Sequence, residues 1–180
     1  MMPVRSLELL FVNPLRFFAV ALPVLSAALL VVLANLPLSF TGALLPAPLL
    51  ALAAVYFWLL LRPDLMTPIA VLAIGLMEDL LSGGPPGLWA TGFLAAYAFA
   101  DRQREILASL SGIGAVIGFA GAVLAAAAGA YLLTCVVYFR APPLAPLLLE
   151  CLVTVLFYPL IAFPSAWLHR RVVGPLRRGD

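Results

Sequence analysis

Residues 112–139 read GIGAVIGFAGAVLAAAAGAYLLTCVVYF, without one charged side chain. A hydrocarbon layer about 30 Å thick is crossed by roughly 20 helical residues. Backbone polar groups in lipid must be satisfied within the segment, so an apolar run of this length is expected to be an α-helix. Working outward, five further apolar runs give expected spans of 17–37, 43–61, 64–82, 88–107, 112–139 and 146–168. The fourth is apolar only as far as Ala100, so its last turns should emerge into water. The fifth is long enough to tilt or to overrun the interface. The predicted fold class is all-α: residues 1–180 form a single integral membrane domain, a polytopic bundle of six transmembrane helices.

Composition agrees. Hydrophobic residues are 65% of the chain and charged ones 10%, with a mean hydropathy of +1.15. A soluble domain is about 45–50% apolar and a quarter charged. No segment outside the spans is large enough to fold alone, and no solvated basic face exists for nucleic acid. The first run, Phe17 to Leu38, exceeds the 7–15 residues of a signal-peptide core and lacks a clear cleavage signal, so it is expected to be retained.

There is no lysine, and nine of the ten arginines fall on one side when the spans are threaded in order. With the N-terminus inside, Arg5, Arg16, Arg62, Arg102, Arg104, Arg170, Arg171, Arg177 and Arg178 face the cytoplasm and only Arg140 lies outside. The positive-inside rule therefore predicts both termini in the cytoplasm. Trp58 and Trp167 near inner helix ends, and Trp89 and Tyr138 near outer ones, read as interfacial aromatics. Two readings are open for Leu7, Leu9, Leu10 and Phe11: a short interfacial helix or a frayed tail.

Glu78 and Asp79 are the most informative polar pair. They lie about one turn from the outer end of the third span, where a carboxylate costs less than the roughly 2.5–3.5 kcal/mol of a helix centre. Adjacent helical positions point about 100° apart. Asp79 shares a face with Gly75, so Asp79 is expected to face inward and Glu78 the outer surface. Arg140 is then the natural counter-charge for Asp79, Glu78 or Glu150. Gly114, Gly118, Ala122, Ala126 and Ala130 recur at four-residue steps, a ridge of small residues that lets helices pack closely. Gly92, Ala96 and Ala100 repeat the pattern in the fourth span. For Cys135 and Cys151, at similar expected depth, a disulfide and two buried free thiols are both open. His169 is expected to be a solvated interfacial residue. No metal-ligand spacing, phosphate loop or nucleophile motif is present, so neither a cofactor nor a catalytic centre is expected.

The segment from Arg62-Pro63-Asp64, expected to open the third helix, runs through Gly75-Leu76-Met77-Glu78-Asp79-Leu80-Leu81-Ser82-Gly83 to Pro86-Gly87-Leu88. It resembles the central signature of the MreD family of bacterial rod shape-determining membrane proteins. Matching positions are Arg62, Pro63, Gly75, Asp79, Ser82, Gly83 and Gly87; Glu78 and the doubled Pro85-Pro86 depart from the pattern. Phe157-Tyr158-Pro159 and the basic tail at Arg170 and Arg171 resemble the family's ending. The likeness implies a non-enzymatic inner-membrane subunit of the cell-elongation (rod) complex that scaffolds MreC and peptidoglycan synthases. Its indirect partners would be MreB filaments, RodA and a class B penicillin-binding protein. The family's fold is similar to that of energy-coupling-factor substrate-binding subunits, so a vitamin-type transporter subunit is the alternative. Such subunits carry alanines four apart on the first helix, and Ala19, Ala21, Ala27, Ala28 and Ala34 contain no such pair. An intramembrane enzyme built on Glu78 and Asp79 would lack a third group to position them.

Overall fold

A computed structural model describes residues 14–36, 46–139 and 141–169. Of these, 82% are helical and none lies in a strand. The helices are α1 (Pro14–Ala34), α2 (Leu50–Leu61), α3 (Pro68–Ser82), α4 (Leu88–Arg102), α5 (Arg104–Ser109), α6 (Ile113–Tyr138) and α7 (Leu144–Leu168). Two stretches, Ile113–Val137 and Leu144–Leu168, are long and apolar enough to cross a membrane by length and composition.

The second helix is shorter than the expected 43–61: it begins at Leu50, after an irregular stretch at 46–49. Pro46 and Pro48 explain the delay, because a proline lacks the N–H a helix needs and biases the preceding residue toward extended backbone. The third helix likewise opens at Pro68, not at Arg62. Arg62-Pro63-Asp64 instead forms a turn in which the Leu65 and Met66 amides donate to the Arg62 carbonyl. Thr67 caps α3, its hydroxyl accepting from the Ala70 amide at 3.3 Å, and Pro68 takes the first helical position, where its missing N–H costs nothing. In the fourth run the helix breaks at Gln103, and the short α5 follows.

α2 is the axis of the bundle. Its residues from Ala51 to Leu59 are buried without interruption, as expected for a helix that is apolar all round. It packs against α1, α4 and α7 and touches α5 and α6. Tyr56 meets Phe119 of α6 at 5.3 Å and Tyr158 of α7 at 5.9 Å between ring centres, and those two stack at 4.4 Å. Trp58 is fully buried and donates to the Ser26 hydroxyl of α1 at 3.0 Å. Trp58, three residues from the end of α2, and Trp89, the second residue of α4, are buried in the core, whereas Trp167 is exposed.

Bulky apolar side chains cover the outside. Ile69 and Leu80 of α3, Ile113 and Ile117 of α6, and Leu156, Leu160 and Phe163 of α7 are all more than 60% exposed.

Candidate functional site

α3 and α4 form a tight hairpin around Asp79. One Asp79 oxygen accepts from the amides of Gly87 at 2.8 Å and Ala90 at 3.2 Å; the other accepts from the Trp89 amide at 2.7 Å. The first N–H groups of a helix have no partner within it and are usually capped by the residue just before the helix. Here that residue is Gly87, which has no side chain and sits at φ +93°. Asp79 supplies the missing cap from the neighbouring helix, and its negative charge lies at the positive end of the α4 dipole. Ser82 donates to the Asp79 carbonyl at 3.4 Å, and Gly83 ends α3 in the left-handed conformation at φ +68°.

Gly75 is the other half of the device. A Cβ there would lie 2.5 Å from the Ala90 Cα. The glycine thus lets the two backbones approach closely enough for Asp79 to reach the α4 amides.

Glu78 does not face the surface as expected. Only 3% exposed, it accepts at 2.8 Å from the side-chain amide of Asn35, just after α1, while its second oxygen has no hydrogen-bond partner among the described residues. α3 is flanked by α1 as well as α4, so both directions, 100° apart, lead into the bundle. Arg140, expected as counter-charge, lies outside the described residues. The tip of α4 takes that place for Asp79. Residues 7–11, the candidate interfacial helix, also lie outside the described residues, as do the basic positions of the tail.

Arg62 and Asp64 form an exposed two-point ion pair at 3.1 and 3.0 Å. They are separated from Asp79 by most of α3, about 16 Å of helix from Pro68 onward. Arg62, Pro63 and the Asp79 cluster therefore do not form one site.

The small-residue ridge lies within the bundle. Ala122, Ala126 and Ala130 are buried, a Cβ on Gly118 would meet the Tyr56 hydroxyl at 2.7 Å, and Gly114 lies against Leu110. Gly92 and Gly129 bring α4 and α6 together, since a Cβ on Gly92 would sit 2.9 Å from the Ala126 carbonyl oxygen.

Where α4 begins, α6 ends and α7 begins, a pocket of about 360 Å³ opens, its walls including Trp89, Tyr131, Leu147 and Glu150. Below it Thr154, 1% exposed, was not singled out by sequence reasoning. Its hydroxyl donates to the Glu150 carbonyl at 2.7 Å and accepts from the Leu49 amide at 3.0 Å. A lone threonine in an apolar run four residues after a glutamate was the available signal. Asn35, at the end of α1, was missed in the same way.

Cys135 and Cys151 are both free thiols, Cys151 buried and Cys135 half-buried. His169 is half-buried with its ring 6.0 Å from that of Trp58, not freely solvated. Burial, and secondarily the charge of Arg62, hold its imidazole below the usual value. No group of three metal-ligating side chains occurs among the described residues. Comparisons with protein-family models, curated proteins and solved structures give no match.

Proposed function

We propose that this chain is a six-span, non-catalytic subunit of the bacterial cell-elongation machinery, of the MreD type, with both termini in the cytoplasm. In this reading α1, α2, α3, α4 with α5, α6 and α7 are the six membrane segments. The apolar exterior faces lipid, where side chains such as Leu160 and Phe163 need no partner. The observation that carries the reading is the use to which the Arg62–Leu88 motif is put. Its carboxylate and glycines lock one helical hairpin: Asp79 caps α4 and Gly75 admits Ala90. None of those groups is left free for acid–base work, as suits a scaffold that presents a fixed shape to MreC and, through it, to MreB, RodA and a class B penicillin-binding protein. The cytoplasmic arginines would lie against anionic lipid, each adding about 1 kcal/mol of surface attraction.

The test is affinity capture of the tagged full chain from mild detergent, followed by mass spectrometry. Recovery of MreC with cell-wall synthases supports the proposal. Recovery of an ATPase module together with a stoichiometric small molecule would replace it with the transporter reading.

A further inference from the structure

The pocket at the start of α4 borders the hairpin and the core, sharing Trp89 with both. Its volume of about 360 Å³ falls at the small end of the roughly 300–1,000 Å³ usual for small-molecule sites. Prolines such as Pro143 and aliphatic side chains such as Leu147 make most of the wall, Trp89 and Tyr131 add aromatic rings, and among the described residues Glu150 is the one charged residue in it. No hydrogen bond or ion pair engages the Glu150 carboxylate among the described residues, whose single ion pair is Arg62–Asp64. Thr134, also in the wall, already donates its hydroxyl to the Ala130 carbonyl at 2.8 Å.

A second acid sharpens the charge imbalance. Glu78 of α3 too has no cation beside it among the described residues. One Glu78 oxygen is buried and, among the described residues, without a hydrogen-bond partner. A carboxylate in low-dielectric surroundings favours a nearby positive charge. A metal ion is a poor candidate, because it would find too few oxygen ligands and no three metal-ligating groups gather here. An organic cation is a better match: a carboxylate meets the charge, tryptophan and tyrosine faces attract a cation, and apolar walls cover its carbon body. The site is also preorganised, since Asp79 fixes the Trp89 backbone through a 2.7 Å bond, and preorganisation lowers the ordering cost of binding.

We propose that this pocket binds an organic ammonium ion of compact apolar body, with Glu150 as counter-charge and Trp89 and Tyr131 as aromatic walls. The proposal stands apart from the scaffold reading and does not need it. The shared chemistry, an ammonium on a carbon frame, can reach the pocket as a free solute or as the headgroup of an amine-bearing lipid.

Benzylamine and its neutral counterpart benzyl alcohol are the probes, measured by equilibrium dialysis against the purified full chain in phosphatidylglycerol nanodiscs, with empty nanodiscs as the reference. One saturable benzylamine site per chain is expected, with the alcohol weaker by about tenfold or more. Glu150→Gln should weaken the amine by a similar factor and leave the alcohol unchanged, and Leu147→Phe should weaken both by narrowing the cavity. Equal binding of amine and alcohol, absence of saturable amine binding, or an unaffected Glu150→Gln protein would each overturn the proposal. The amine-to-alcohol ratio is read on the unmodified chain, so it stands even if a variant does not fold. Repeating the titration with phosphatidylethanolamine in the disc separates the sources. Displacement of benzylamine identifies the lipid headgroup as the occupant, and undiminished binding identifies a free solute.

Discussion

Replacing Asp79 by asparagine changes one atom in the hairpin and should be among the costliest substitutions in the chain. The carboxylate accepts three backbone N–H groups, two on one oxygen and one on the other, at 2.7–3.2 Å. An asparagine keeps one oxygen. Its best orientation retains the Gly87 and Ala90 bonds and turns an NH2 group toward the Trp89 amide, donor against donor. Losing one charge-assisted bond in a buried site costs about 1.5–3 kcal/mol. Removing the negative charge from the α4 N-terminus adds about 0.3–1 kcal/mol. The sum is about 2–4 kcal/mol, which for a chain of this size corresponds to a midpoint lower by roughly 5–15 °C. Asp79→Ala, which leaves all three donors without partners, should fall further. The assay is the fraction of detergent-solubilised protein still monodisperse by size exclusion after heating through a temperature series. If Asp79→Asn and Asp79→Ala both melt within about 2 °C of the parent, the cap does not hold α4 and the reasoning fails.

Further expectations follow the same physics. Gly75→Ala should lower the melting midpoint markedly because its Cβ would fall 2.5 Å from the Ala90 Cα, whereas Gly84→Ala, whose nearest neighbour is the Ser82 hydroxyl at 3.5 Å, should be close to neutral; the same heating series compares them. Thr154→Val removes the acceptor for the buried Leu49 amide and should cost about 1–3 kcal/mol, visible as greater protease sensitivity at residues 46–49. Arg62→Gln breaks only an exposed pair, so a loss above about 1 kcal/mol would be unexpected. Because the folded chain favours neutral His169, its contribution is present above the free-histidine value of about 6.5 and is lost as pH falls through the lower folded value. The melting midpoint of the parent should therefore drop between neutral and mildly acidic pH more than that of His169→Phe, and parallel curves would refute the assignment.

The helical class and most helix positions were legible in the sequence because hydropathy and chain punctuation both bear on them. Ile113–Tyr138 and Leu144–Leu168 lie within two residues of the expected ends. The Pro46-Ala47-Pro48 interruption was also visible, yet the length a membrane crossing requires overrode it and moved the expected start of α2 seven residues too early. Asp79 announced itself as a polar group beside a glycine. Its actual partners, the amides of Gly87, Trp89 and Ala90, are backbone groups that no side-chain pattern encodes. Glu78 was misdirected because helical geometry gives the angle between neighbouring side chains but not how many neighbours surround the helix. The burial of Trp58 was hidden for a related reason: position along a helix does not reveal that α2 is enclosed by its neighbours. The pocket, assembled from three elements, left no local trace at all.

The bond between the Leu49 amide and Thr154 joins positions 105 residues apart, which has a consequence for biogenesis. While the ribosome is still making the middle of the chain, the lead-in to the central helix has a peptide N–H whose native acceptor does not yet exist. Only the arrival of Leu144–Leu168 supplies the hydroxyl that accepts it. Nascent chains halted before Thr154 is made should therefore stay cleavable at residues 46–49, and loss of that cleavage would report the docking of α7 onto the central helix.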